Sequence, residues 1–280
     1  MRSEIKYLVP NALLHKLRST IAPLVHLDKH GRDFKDTGYT IRSIYLDTPR
    51  FLYYKEKIDG LKDRKKLRLR AYNLPQHKGP VFLEIKRKSE SRIKKTRAPI
   101  PVENLGAIFN PGQKVDLSTL IKADQETLTA ANQFLYHVYR NNLQCSNLVV
   151  YEREAFEGKI NPTLRITFDK NLRSKLAQDL SELYSESDMT AVLPGYFILE
   201  IKYNHAFPNW ITPILSNFKL QKEALSKYCM GLEQCTGLKG ADLLLSLSAR
   251  YLRNTPLVAQ KSVRTNADSE AGFKDFGEPC

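Results

Sequence analysis

In four separate stretches of this 280-residue chain, charged and apolar residues alternate one for one. The runs are Lys66-Leu67-Arg68-Leu69-Arg70, Val81-Phe82-Leu83-Glu84-Ile85-Lys86, Leu164-Arg165-Ile166-Thr167-Phe168-Asp169 and Phe197-Ile198-Leu199-Glu200-Ile201-Lys202. A β-strand repeats its side-chain direction every second residue. Arg68 and Arg70 therefore share a face, as do Glu84 and Lys86, Arg165 and Asp169, and Glu200 and Lys202. The opposite faces carry Leu67, Leu69, Leu83, Ile85, Leu164, Ile166, Phe168, Leu199 and Ile201. An ordinary one-sided sheet turns its polar face to bulk water. Here that face is almost purely cationic and carboxylic, with few Ser, Thr or Gln. The pattern predicts a sheet curled around a charged lumen, with helices over its apolar face. A lumen rich in Arg and Lys is a receptacle for a polyanion.

The charge balance points the same way. Lys and Arg total 44 against 30 Asp and Glu, a formal net charge of +14. An anionic partner is implied: nucleic acid, polyphosphate, nucleotide or an acidic membrane surface. Net charge does not choose among them. The opening MRSEIKYLVP holds no apolar run of signal-peptide length, and nowhere do about 18 apolar residues follow one another. A cytoplasmic protein without a transmembrane segment is expected. Cys145, Cys229, Cys235 and Cys280 contain no C-x-x-C pair, which argues against a zinc or disulfide framework and for reduced thiols. The six His residues show no metal-ligand spacing. No G-x-x-x-x-G-K-[ST] loop and no G-x-S-x-G elbow occurs. Any phosphoryl chemistry must be built from Arg, Lys, Glu and a metal.

Along the chain, residues 3–9 read as an opening strand with Glu4 and Lys6 on one face. A helix with Leu13, Leu14, Leu17 and Ile21 at helical spacing follows it. Tyr39–Leu46 reads as a strand, Arg50–Lys57 as a short helix, and Arg64–Tyr72 with Gly79–Lys88 as a hairpin across Asn73-Leu74-Pro75. Residues 89–100 read as a strongly basic stretch, and 101–144 as helical, with a long run over 124–142. Asn147–Phe156 and Leu164–Asp169 form a second hairpin, 171–188 an irregular polar segment, and Phe197–Tyr203 a further strand. Helices are predicted over 211–218, 225–234 and 241–253. One domain is expected over 1–254, with a disordered tail over 255–280. Whether that tail docks on a peripheral membrane partner stays open. A weak internal echo, Arg-x-Arg then Phe-Leu-Glu-Ile-Lys against Arg-Ile-Thr-Phe-Asp then Ile-Leu-Glu-Ile-Lys, suggests two similar halves closing one barrel.

Several constellations could carry chemistry. Arg68 and Arg70 sit about 7 Å apart on one strand face, a spacing suited to neighbouring phosphates or to a solvated surface. Glu84-x-Lys86 and Glu200-x-Lys202 each follow an apolar run, so each should be partly buried. A carboxylate beside a phosphate-binding Lys can hold a divalent metal or form an internal ion pair. Tyr151-x-Arg153 and Arg165 with Asp169 repeat the pattern. A salt bridge between Arg165 and Asp169 is the safer reading, with Asp169 as metal ligand the alternative. Ser226 before a helix reads as its N-cap, and with Lys227 as an anion site. Arg92, Lys94, Lys95 and Arg97 extend a cationic mouth or form a solvated basic loop. The aromatic stacking platform of RNA-binding domains is not visible.

Taken in order, Ile44-Tyr45-Leu46-Asp47-Thr48-Pro49, Tyr54-Lys55-Glu56-Lys57-Ile58-Asp59-Gly60 and Arg64-Lys65-Lys66-Leu67-Arg68-Leu69-Arg70-Ala71-Tyr72 resemble the VTC domain. So do Phe82-Leu83-Glu84-Ile85-Lys86, Tyr151-Glu152-Arg153, Leu199-Glu200-Ile201-Lys202 and Leu225-Ser226-Lys227-Tyr228. This is the catalytic domain of polyphosphate polymerases, within the triphosphate tunnel metalloenzyme superfamily. The resemblance runs over residues 3 to about 235. It implies an α+β fold: a closed antiparallel β-barrel tunnel of about eight strands with helices packed outside. It also implies ATP and polyphosphate as substrates, no nucleic acid, and Mn²⁺ or Mg²⁺ as cofactor. On this pattern Lys6, Arg68, Arg70, Lys86, Arg153, Arg165, Lys202 and Lys227 grip phosphates, with Lys94, Tyr151 and Ser226 beside the chain. Glu200, with Glu84, would hold the metal. Hydrolytic relatives open with Glu-x-Glu, whereas Glu4-x-Lys6 stands here. That favours a polymerase over a triphosphatase or polyphosphatase, and the retained Glu200 argues against a non-catalytic polyphosphate-binding module.

Overall fold

The computed structural model describes residues 2–30, 38–73, 79–90, 92–108 and 124–243. One antiparallel sheet organises them. Its main path runs β1 (Arg2–Pro10), β10 (Tyr196–Asn204), β8 (Arg165–Leu176), β7 (Gln144–Gly158), β3 (Tyr39–Asp47), β4 (Arg64–Tyr72), β5 (Val81–Ser89) and β6 (Arg92–Ile100). The short strands β2 (Val25–Leu27) and β9 (Thr190–Ala191) pair with β7 and β8. Helices α1 (Leu14–Ile21), α2 (Leu52–Ile58), α3 (Leu105–Ile108), α4 (Gln125–Arg140), α5 (Ile211–Asn217) and α6 (Lys227–Thr236) complete the described fold.

Among the described residues β1 and β6 form no ladder with each other, so the sheet is open where a closed barrel was expected. It is nevertheless curled far enough for Lys86 on β5 to reach Glu4 on β1, with Nζ 3.1 Å from Oε2. The free edge of β1 is covered by residues 222–223. Tyr7 bridges to Lys222, and the Glu223 N–H donates to the Lys6 carbonyl at 2.9 Å. That cover satisfies backbone groups that an exposed edge would leave open.

The alternating runs assign the faces. Outward-facing Leu67, Leu69, Leu83 and Ile85 are buried beneath Ala131, Phe134 and Val138 of α4. Ile166, Phe168, Leu199 and Ile201 are buried beneath Leu17 and Ile21 of α1 and Ile211 and Leu215 of α5. The expectation that helices pack outside fails for α6. Its Tyr228, Cys229 and Leu232 pack against Tyr45, Val149, Tyr151 and Leu172, on the sheet face that carries the charges. Gly231 permits this close approach, since a Cβ there would lie 2.7 Å from both Asn147 Nδ2 and Ser174 Oγ.

Two segments are more regular than the sequence suggests. The basic stretch after residue 89 is β6, paired along its length with β5. The polar segment after Asn171 begins as a continuation of β8 to Leu176. Between Val150↔Arg173 and Glu152↔Lys170, β7 advances two residues and β8 three. This bulge, with Asn171 at φ 50°, moves Leu172 and Ser174 onto the concave face that Arg165 and Asp169 share. The predicted tail over 255–280, the Leu74-Pro75 turn and the helix beyond residue 243 lie outside the described residues.

Candidate phosphate-binding cavity

The concave face encloses a cavity of about 520 Å³. Twelve Lys and Arg side chains line it against three carboxylates, Glu4, Glu200 and Glu223. Cations gathered in such excess repel one another unless an anion joins them.

Strand β4 supplies one wall. Arg64, Lys66, Arg68 and Arg70 project from alternate positions and all line the cavity. Arg68 donates to Tyr45 Oη at 3.1 Å, and Arg70 to Tyr151 Oη and Ser43 Oγ at 3.4 Å each. The opposite wall comes from β7, β10 and β1. Arg153 makes two bonds to Asp169, Nε–Oδ1 at 2.6 Å and Nη2–Oδ2 at 2.8 Å. The same carboxylate holds Lys227 Nζ at 2.6 Å. Asp169 is fully buried, yet Arg153 and Lys227 outweigh its burial and keep it ionised, below the usual carboxylate range.

On β10 and β1 the charges interleave. Lys202 pairs with Glu200, and Lys6 bridges Glu4 at 2.9 Å and Glu200 at 3.9 Å. Burial and Glu200 push the Glu4 carboxyl up, but Lys6, Lys86 and Lys202 prevail and hold it at about 2. Burial likewise opposes ionisation of Glu200, and Lys202, Lys6, Lys227 and Arg153 hold it well below the usual range. Lys66 is different. Burial, reinforced by Lys6 and Lys86, pulls it down to about 8. Its Nζ donates to Ser226 Oγ at 2.7 Å. Ser226 also caps α6, accepting from the Cys229 N–H at 3.3 Å, so both sequence readings of this residue describe the same hydroxyl.

Ten of the residues singled out from the sequence meet at this cavity: Lys6, Arg68, Arg70, Lys86 and Tyr151 with Arg153, Glu200, Lys202, Ser226 and Lys227. Three do not. Arg165 turns to Asp28 at 2.6 Å and Tyr39 Oη at 3.2 Å, not to Asp169. Lys94 is exposed and lies on the opposite face of β6 from Lys95, whose partner in register is Lys86. Glu84 lies behind the wall, 1 % exposed. Arg68, Lys95, Arg97 and Arg70 surround it at 2.7, 2.6, 3.3 and 3.7 Å. With four cations within 4 Å of it, Glu84 anchors the Arg pair. Sequence reasoning passed over Lys66 and Tyr45. Both carried a signal: Lys66 continues the alternation of Arg68 and Arg70, and Tyr45 faces Arg68 in register.

The carboxylate beside Glu200 is Glu4. Among the described residues no group of three His, Cys, Asp or Glu could hold a metal. Two carboxylates on a cavity wall still fit Mg²⁺ or Mn²⁺, which complete their shells with substrate phosphate oxygens.

The VTC domain model matches residues 1–236. The chain belongs to the VTC domain family. A relative, vacuolar transporter chaperone complex subunit 4 of Trypanosoma brucei brucei, is 23% identical over 263 residues. That match covers 84% of this chain and 33% of the relative, so the chain spans about a third of the relative's length. Solved structures of similar shape include a Hippeastrum adenylyl cyclase-like protein described as having a dominant triphosphatase activity (14% identity, TM-score 0.47, 86% of this chain and 98% of that one). Another is a Mimivirus capping enzyme triphosphatase (11% identity, TM-score 0.29, 77% and 88%). Among the described residues no helix is long and apolar enough to cross a membrane.

Proposed function

We propose that this VTC domain is a metal-dependent polyphosphate polymerase that transfers the γ-phosphate of ATP to the end of a polyphosphate chain within a tunnel. The observation that carries this reading is the lining of the cavity, twelve cations against three carboxylates. Arg68, Arg70 and Lys86 would grip phosphates from one wall, and Lys6, Arg153, Lys202 and Lys227 from the other. The terminal oxygen anion of the acceptor attacks the γ-phosphorus while the bond from that phosphorus to the β,γ-bridging oxygen breaks and ADP departs. Such a transfer depends on alignment and on charge stabilisation rather than on covalent help from the protein.

Neither carboxylate of the wall suits a water nucleophile, which needs a base poised near the working pH: Glu4 sits at about 2 and Glu200 is held well below the usual range. A phosphate-chain end is already anionic. A divalent cation held by Glu200 and Glu4, once bound, would neutralise charge on the transferring group. Incubating the protein with ATP and Mn²⁺ tests the reading. Long-chain polyphosphate with one ADP per residue added is expected; free phosphate as the sole product would make the protein a hydrolase.

A further inference from the structure

Strand β4 ends its cation series with an aromatic. Beyond Arg64, Lys66, Arg68 and Arg70, the next side chain on that face is Tyr72. Rings from three other parts of the chain gather on it or beside it. The Tyr39 centroid is 5.9 Å away, Phe82 stands edge-on at 5.9 Å, and His30 lies 6.5 Å away within 18° of parallel. Arg97 places its guanidinium 3.3 Å from the Phe82 centroid and 5.6 Å from that of Tyr72, and donates to Tyr72 Oη at 3.1 Å. This is not a core. Tyr72 and Phe82 are only partly buried, and His30 and Arg97 are exposed. Phosphate gains nothing from such a cluster, which offers flat π surface with a cation alongside. A nucleobase is the ligand that uses both.

Its position fits as well. At about 3.3 Å per residue, Tyr72 lies about 7 Å beyond Arg70 along the strand. A group at Tyr72 is therefore attached to, not part of, the phosphates at Arg70. The far end of the same strand face holds Arg64 and, across the register, Lys88.

We infer that Tyr72, His30 and Arg97 form a stacking platform for the base of a nucleoside triphosphate whose phosphates lie on Arg70 and Arg68. The inference rests on the cavity being a triphosphate site. It assigns a direction to the bound nucleotide: base at the Tyr72 end, γ-phosphate toward Lys66. Stacking is tolerant of base identity, so ATP and GTP should bind alike.

The test is calorimetric binding of ATP, GTP and inorganic tripolyphosphate to the full chain and to Y72L, Y72F and H30A. Y72L should weaken ATP and GTP by about tenfold, on the scale of one lost base–aromatic contact. H30A should weaken them severalfold, and Y72F should keep affinity. Tripolyphosphate binding should stay within twofold throughout. His30 is exposed, so H30A reports even if Y72L does not fold. Parallel loss of nucleotide and tripolyphosphate would make Tyr72 a shaper of the phosphate site and overturn the platform. Unchanged nucleotide binding in H30A and Y72L would overturn it too. If the wild type binds tripolyphosphate but shows no nucleotide loss in the variants, only this inference falls. If it binds neither ligand, the polymerase reading falls with it.

Discussion

Lys66 and Glu200 hold opposite charges on facing walls of the cavity and should answer opposite tests. Lys66 has Ser226 Oγ at 2.7 Å, the Tyr228 ring at 5.9 Å, and the cations Lys6 and Lys86 opposing its charge. Burial holds its folded pKa at about 8, below the ordinary lysine value of 10.5. Between those values the unfolded chain binds more protons, so this group's contribution to the stability of the free protein rises with pH from about 8 to 10.5. Ligand binding has the other sign. A polyanion favours protonated Lys66, so above pH 8 binding must take up a proton. Tyr45, held down to about 8 because Arg68, Arg70 and Lys66 outweigh its burial, turns anionic over the same range and adds to the effect. Tripolyphosphate affinity should therefore fall as pH rises through 8, by up to about tenfold per unit for each proton taken up. Titration calorimetry in buffers of different ionisation enthalpy measures that uptake, and K66M should reduce it; an uptake the same in K66M would remove Lys66 from the account. For Glu200, E200Q keeps the shape and removes the charge. Turnover should drop by about 10²-fold or more, the scale of a lost electrostatic stabiliser, while tripolyphosphate affinity holds or improves. Normal turnover in E200Q would reduce Glu200 to the ion-pair partner of Lys202.

At the scale of elements, α6 decides the depth of the cavity. It enters on the charged face of the sheet, capped by Ser226 and ended by Gly237 at φ 69°. Tyr228 donates to Asp47 Oδ2 at 2.5 Å, and the other oxygen of Asp47 accepts the N–H groups of Thr48 and Tyr53 at 2.7 and 2.9 Å. One buried carboxylate thus ties β3, α2 and α6 together. The tightest point is Gly231. G231A would force its new methyl against Asn147 and Ser174, at a cost of about 1–3 kcal/mol. In a chain of this size that is roughly 2–4 °C of melting temperature per kcal/mol. Scanning calorimetry reads it, and an unchanged melting temperature would mean the helix is free to lift. The Ser226 cap was legible in the chain, but the face on which α6 docks was not, because its contacts come from distant strands. The strands were legible where apolar and charged residues alternate, as in β4, β5 and β10, because the period itself carries the information. β6 was hidden by its many basic residues, which mask the alternation of Ala98 and Ile100 with Arg97 and Pro99. The second half of β8 was hidden by the bulge at Asn171, which breaks the period. The cations of the site were legible as the charged phase of those strands. Glu84 and Glu200 share one local pattern, so the sequence does not separate their surroundings. Only the register across β4, β5 and β6 shows four cations already on Glu84.

For the whole molecule the central quantity is uncompensated positive charge. The chain carries +14 overall, and the cavity lining holds twelve cations against three carboxylates. Folding brings these cations together from β1, β4, β5, β7 and β10, from α2 and α6, and from Lys222 beside β1, so the free protein bears their mutual repulsion and any ligand that relieves it stabilises the fold. A ligand that binds only the folded state adds about 2.7 kcal/mol at a hundred times its Kd, worth roughly 5–10 °C in a chain of this length. The proposed function also sets a length requirement, since linked phosphates would reach cations on both walls where a single phosphate would not. Tripolyphosphate and longer chains should therefore raise the melting temperature by several degrees at concentrations where monophosphate does little. General screening by salt acts on all surface cations alike, and beyond about 10 Å it weakens most pair interactions already at 0.1 M. A thermal-shift series with mono-, tri- and longer phosphates, matched in ionic strength and repeated at low and high salt, separates the two effects. A ranking by chain length that persists in salt is the expected result. Equal shifts for monophosphate and tripolyphosphate at matched ionic strength would mean that the protein responds to anions in general, and that the cavity does not hold a phosphate chain.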